Sequence, residues 1–133
     1  MGTVDPLVRD IAANEPSLAW FGFVIEEATS GSAVVSVTVG TEQVNANGMT
    51  HGGLVFAVAD QSFAMAATTV LGYSATADAQ IHYIAPSRVG QRLVATAKVS
   101  WHDERRAIVD VIVAADGESV AVYRGMARAV RRS

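Results

Sequence analysis

Asp60 is the residue of this chain whose surroundings most demand a chemical explanation. It lies between Val58-Ala59 and Phe63-Ala64, where an ionised carboxylate is costly to desolvate unless a hydrogen bond, a cavity or a catalytic duty compensates it. A plainer reading makes Asp60, Gln61 and Ser62 a narrow wetted stripe on a buried helix. The segment before them weighs against that reading. His51-Gly52-Gly53 stands where the helix begins, so unpaired backbone N–H groups and the positive end of the helix dipole face whatever sits there. With no side chain at Gly52 a reacting carbonyl can approach closely, the geometry of a backbone oxyanion hole for acyl transfer. A plain glycine turn is the alternative. His51 has a supporting part, orienting the loop. Gly52 and Asp60 lie 8 residues apart, which is about 12 Å along one helix and too far for both to act on one carbonyl. If they serve one site, the two groups must come from different subunits, as antiparallel helices across a two-fold axis allow.

Other chemistries lack their signatures. There is no Gly-x-Ser-x-Gly elbow, no phosphate-binding loop and no dinucleotide glycine fingerprint. His51, His82 and His102 have no metal-ligand spacing, so no metal or other cofactor is expected, and His82 and His102 read as strand residues. Arg88, Arg105, Arg106 and Arg124 flank strand ends, where guanidinium groups suit phosphates or simply a solvated surface.

The elements that must position these residues follow from periodicity and turn chemistry. Asp5-Pro6 reads as an N-cap and first helical residue of a short helix ending near the turn-prone Asn14-Glu15-Pro16-Ser17. Phe21 to Ala28 and Ser32 to Val39 read as two strands of a hairpin around Thr29-Ser30-Gly31. Thr41 to Thr50 is a polar loop feeding Leu54 to Leu71, a helix rich in Ala, Leu and Met. That helix is apolar nearly all round, the pattern of one enclosed by other structure. A membrane span is its rival, against which Asp60 and the many alanines argue. Strand signals then recur at Thr76 to Ile84, Arg92 to Trp101, Ala107 to Ala114 and Ser119 to Val130. Their short links favour antiparallel pairing, and the class is α+β.

Composition narrows the partners. The 133 residues suit a single domain over 1–133, and with half of them hydrophobic the chain can bury a core rather than stay disordered. With 10 basic against 13 acidic side chains the net charge is -3, which gives no overall attraction to nucleic acid or to an anionic membrane. There is no cysteine, hence no disulfide framework. Met1 to Asn14 lacks the pattern of a secretory signal, so the expected location is cytoplasmic.

The run from Asn45 through Gly48-Met49-Thr50-His51-Gly52-Gly53 to Asp60 closely resembles the motif of hotdog thioesterases of the phenylacetic acid degradation (PaaI-like) family. Asp78 to Pro86 with Gly90, and Val122-Tyr123-Arg124-Gly125, are similar to that family's later strands. The resemblance implies a long central helix wrapped by a curved antiparallel sheet, paired into a homodimer with shared active sites and commonly into a homotetramer. It implies an acyl-CoA substrate such as phenylacetyl-CoA or a hydroxylated relative. By position it makes Asp60 the nucleophile or general base and Gly52 the oxyanion donor. Asn45 and His51 position the thioester or water, and Thr76 lies near the attacking water. Gly53, Phe56, Phe63, Arg88 and Arg124 are the expected substrate contacts, with Met65 a further pocket-lining residue and the arginines facing the CoA phosphates. Hotdog hydratases or dehydratases, and a non-catalytic acyl-CoA-binding domain, are the alternatives that this resemblance leaves open.

Overall fold

A computed structural model describes residues 2–131. Two short helices open it. α1 (Pro6–Ala13) is capped by Asp5, whose carboxylate accepts from Leu7 N at 2.8 Å and Val8 N at 3.4 Å, with Pro6 in the first turn where no N–H is needed. α2 (Pro16–Phe21) again begins with proline and ends at Gly22, in the left-handed conformation at φ 83°. Here the structure departs from the sequence reading, which takes 14–17 as a turn and starts a strand at Phe21. The strand starts later, because Pro16 at an N1 position and a glycine that can adopt positive φ bracket one more helix.

β1 (Val24–Thr29) and β2 (Ser32–Thr38) form the expected hairpin. Its central residues Ser30 and Gly31 have φ of 50° and 82°, both positive as a primed two-residue turn requires. α3 (Gly52–Leu71) follows, then β3 (Ser74–Tyr83), β4 (Arg92–His102), β5 (Arg106–Ala115) and β6 (Glu118–Ala129). The β5–β6 turn repeats the first device, with Asp116 at φ 51° and Gly117 at 82°. All pairings are antiparallel and the order across the single sheet is β1-β2-β4-β5-β6-β3.

α3 touches all six strands. Period-two alternation turns Ala33, Val35 and Val37, then Leu93, Ala95 and Ala97, then Ala107, Val109, Val111 and Val113 into one buried layer beneath the helix. Many of these are alanine or valine, which lets a 20-residue helix lie close to the sheet. Length and composition alone would also let α3 cross a bilayer, but half of its most apolar stretch is enclosed by protein. This is the hotdog architecture.

β3 is unlike the other strands. It forms one edge of the sheet, pairing only with β6, and from Ala75 to Gln80 every residue is exposed on both faces.

Candidate functional site

The opening of α3 is held from several sides. The His51 N–H donates to Gln43 O at 2.9 Å, and Thr50 N donates to Ser87 O at 2.8 Å. The buried hydroxyls of Ser87 and Thr50 meet at 2.7 Å. His51 is the N-cap: its Nδ1 accepts from Gly53 N at 2.8 Å, so the ring hydrogen sits on Nε2. Gly53 makes this possible, since a Cβ there would lie 2.9 Å from His51 Nδ1. Leu54 N and Val55 N both turn back to His51 O. Among the described residues, the Gly52 N–H is left with no acceptor; it is an orphan donor at the positive end of a long helix.

The space beside Gly52 is claimed by Tyr83. The tyrosine hydroxyl donates to Gly52 O at 3.1 Å, and a Cβ on Gly52 would lie 3.3 Å from the ring. Around them is a groove of about 380 Å³ that gathers Asn45, Thr50, Gly52, Val55, Tyr83 and Ile84. Asn45 Oδ1 accepts from Asn47 N at 2.9 Å and Met49 N at 3.2 Å, which fixes the loop.

Asp60 lies elsewhere, midway along α3. It is half-buried, and its Oδ1 accepts from the Tyr123 hydroxyl at 2.9 Å. Burial raises its carboxyl above the usual range, and the Tyr123 bond offsets part of that rise. Tyr123 is itself buried and held between Phe56 and Phe63, with ring centroids at 5.6 and 5.5 Å. Burial and the neighbouring Asp60 charge push its phenol far up, so it stays protonated and donates. Gln61 and Ser62 do not share a stripe with Asp60. Gln61 reaches Glu15 at 3.5 Å, and buried Ser62 bonds the helix carbonyl of Ala59 at 3.0 Å.

The structure thus brings Asn45 and Gly52 to one groove, turns His51 and Gly53 to a neighbouring one beside Trp20 and Phe21, and leaves Asp60 apart from them within one chain. Thr76 is exposed on β3, beside a bulge. Phe56 packs on Tyr123, whereas Phe63 is 1% exposed and belongs to the core, as does Met65. Arg124 is committed to Asp110 through two contacts of 2.6 and 3.0 Å, while the exposed Arg88 follows Ser87 of the groove. A larger concavity, about 750 Å³, gathers Arg105, Arg106, Arg128 and Arg131. Among the described residues no three His, Cys, Asp or Glu side chains converge on a metal position.

Tyr83 and Tyr123 are site residues that sequence reasoning passed over, and Tyr123 left a trace. Its signal was the alternation of β6, which points Ala121, Tyr123 and Ala127 inward, a hydroxyl among small residues facing a helix that carries an acid.

Comparison with known proteins agrees with this architecture. A family model described as the thioesterase superfamily matches residues 47–122. Acyl-coenzyme A thioesterase PaaI of Escherichia coli is 33% identical over 114 residues, 84% of this chain and 81% of that protein. The structure of the E. coli PaaI protein from the phenylacetic acid degradation operon superposes with a TM-score of 0.90 at 25% identity, covering 94% of this chain and 91% of that one. A mutant of the phenylacetic acid degradation protein PaaI from Thermus thermophilus gives 0.84 at 28% identity, covering 87% of this chain and all of its own. A central helix opening on an unpaired N–H and carrying a half-buried acid, with these relatives, shows that the chain belongs to the thioesterase superfamily and, within it, to the hotdog-fold family of PaaI-like thioester hydrolases.

Proposed function

We propose that the chain hydrolyses acyl-CoA thioesters, with phenylacetyl-CoA or a hydroxylated aryl-acyl-CoA as substrate, at sites shared between two subunits. The observation that carries this reading is the separation of two complementary groups on one helix. An orphan N–H at Gly52 suits the thioester oxygen as it gains negative charge, and Asp60 suits the carbon or the attacking water. They are 8 positions apart, about 12 Å along α3, so the hole of one subunit must meet the acid of another.

The exposed edge strand supports such a pairing. An isolated, uncovered edge of ten residues is a template for strand addition, and antiparallel pairing of two β3 strands would set two α3 helices antiparallel across a two-fold axis. Two such dimers would make the tetramer implied by the family resemblance. In the general-base route a water proton passes to Asp60 while the water oxygen bonds the acyl carbon. The thioester C–S bond then breaks, and the departing sulfur takes the proton as free CoA thiol. In the nucleophilic route Asp60 itself bonds the carbon as the C–S bond breaks and CoA leaves as thiolate; water then splits the mixed anhydride into the free acid and the Asp60 carboxylate, and the proton released goes to the thiolate.

The aryl group is supported by the apolar wall of Val55, Tyr83, Ile84 and Val120 and by the operon that the E. coli relative's structure is described from. For the CoA phosphates the arginine concavity offers several guanidinium groups, of which Asp103 holds that of Arg106, whereas Arg124 is held by Asp110. It sits at the opening of β3, since Ala129 pairs with Ser74, and paired β3 strands would carry it beside the partner's Tyr83 groove. Hydration or dehydration at carbon would need a histidine with an acidic partner. Here His51 Nδ1 is spent on Gly53 N–H, and among the described residues no carboxylate bonds that ring.

Release of free thiol from aryl and alkyl acyl-CoAs tests the reading. Asp60→Asn should lose at least about 10²- to 10³-fold in turnover. In the native enzyme kcat/KM should fall as pH drops through a carboxyl that burial holds above the usual range. Turnover unchanged by Asp60→Asn would refute it.

A further inference from the structure

A buried carboxylate that must react has two requirements that conflict. It needs a dry setting, which strengthens its interactions, and it must stay ionised there with one oxygen aimed at the substrate. Asp60 has one partner for this task. Its Oδ1 receives the Tyr123 hydroxyl at 2.9 Å, and among the described residues its Oδ2 has no hydrogen-bond partner. The tyrosine has little freedom to move away, being buried and packed between Phe56 and Phe63. Gly125, two residues on, keeps that packing tight: a Cβ there would lie 2.8 Å from the Phe63 ring.

Resting on the proposed thioesterase reading, we infer that Tyr123 is the positioning residue of Asp60, its hydroxyl fixing Oδ1 so that Oδ2 alone is presented to the thioester or its attacking water.

A fixed carboxylate gains twice. Rotation about the carboxyl bond would otherwise spread the reactive oxygen over orientations of which few lie in line with the acyl carbon. The hydrogen bond also favours the charged form against the burial that disfavours it. The groups able to disturb this arrangement are few. From β6 only Tyr123 acts on Asp60, and from β3 Asp78 acts on Tyr123, keeping its phenol protonated. Glu15, from the segment before α2, reaches Gln61 rather than Asp60.

Tyr123→Phe deletes the hydroxyl and keeps the ring between its two aromatic neighbours. It should lower kcat about tenfold, the scale expected for one lost hydrogen bond to a charged group, leave KM unchanged, and move the acid limb of the pH–rate profile to higher pH. As a second variant that retains the hydroxyl and the packing, 3-fluorotyrosine in place of Tyr123 makes the phenol a stronger donor. It should move the same limb to lower pH. A role in packing alone would leave both profiles where the native enzyme has them. The inference is overturned if Asp60→Asn abolishes thiol release while both Tyr123 variants keep the native kcat and pH profile. If the native protein releases no thiol from any acyl-CoA, it is the thioesterase reading that fails instead.

Discussion

The two ends of the chemistry proposed for α3 are built in opposite ways. At the opening, the helix is exposed and its donor is unsatisfied: Gly52 N–H faces a groove with no acceptor among the described residues. Midway along, Asp60 is half-buried and already engaged, with Tyr123 on one oxygen and aromatic rings close by. Backbone donors are cheap to leave open to water, and they become valuable when an oxyanion replaces that water. A carboxylate is expensive to bury and must be partly satisfied beforehand. In the proposed site the contrast sets an open groove at Gly52 against a half-buried acid backed by Tyr123. In the proposed mechanism neither half is complete on its own helix.

The largest expected effect comes from breaking the open end without disturbing the closed one. Gly52→Pro deletes the N–H itself, at a first helical position where proline is tolerated, after His51 whose ψ of 133° suits a following proline. Steady-state turnover should fall about 10²- to 10³-fold. Gly52→Ala adds a similar Cβ, 3.3 Å from the Tyr83 ring, but keeps the donor, and should lose markedly less. Equal losses in the two variants would mean that crowding against Tyr83, and not the missing donor, accounts for the defect.

A smaller effect should distinguish binding of the nucleotide from the chemistry at either end of α3. Arg106 and Arg128 are directly paired across β5 and β6, a like-charge apposition that costs stability in a sheet and that Asp103 offsets in part through its 3.0 Å contact with Arg106. Arg106 also lies 5.8 Å over the half-exposed ring of Trp101. Replacing Arg128 and Arg131 by alanine should raise KM for an acyl-CoA about tenfold, with kcat unchanged. The same variant should show no change with the corresponding acyl-pantetheine, which lacks the nucleotide. A KM that rises equally for both substrates would place the phosphates elsewhere.

Much of this molecule was legible in its sequence because its signals are local. The Ser30-Gly31 and Asp116-Gly117 turns, the alternation of β2 and β5, and the apolar length of α3 each follow from a few adjacent residues. The motif around Gly52 also announced a helix opening, though the helix starts at Gly52 rather than Leu54, because His51 caps it through Gly53. α2 was obscured because Phe21 reads as the start of a strand although Pro16 and Gly22 bracket a helix. Tyr123 was hidden for a different reason. It meets Asp60 across 63 residues of chain, and nothing local shows that β6 lies between β5 and β3, within reach of the middle of α3. The fates of the arginines are non-local in the same sense. Whether a guanidinium has no acid partner among the described residues, like Arg128, or is taken, like Arg124, depends on which acid the sheet register sets opposite it.

The measurement that bears most directly on the sharing of sites between subunits is complementation between two inactive chains. Asp60→Asn and Gly52→Pro, carried on differently tagged copies and co-expressed, give mixed dimers that two-step purification isolates. In a mixed dimer one site keeps both an intact Asp60 and an intact Gly52, drawn from different chains, while the other site has neither. Shared sites predict about half the native activity per mixed dimer, against almost none in either parent. Mixed dimers as inactive as their parents, or a chain that forms no dimer at all, would contradict them.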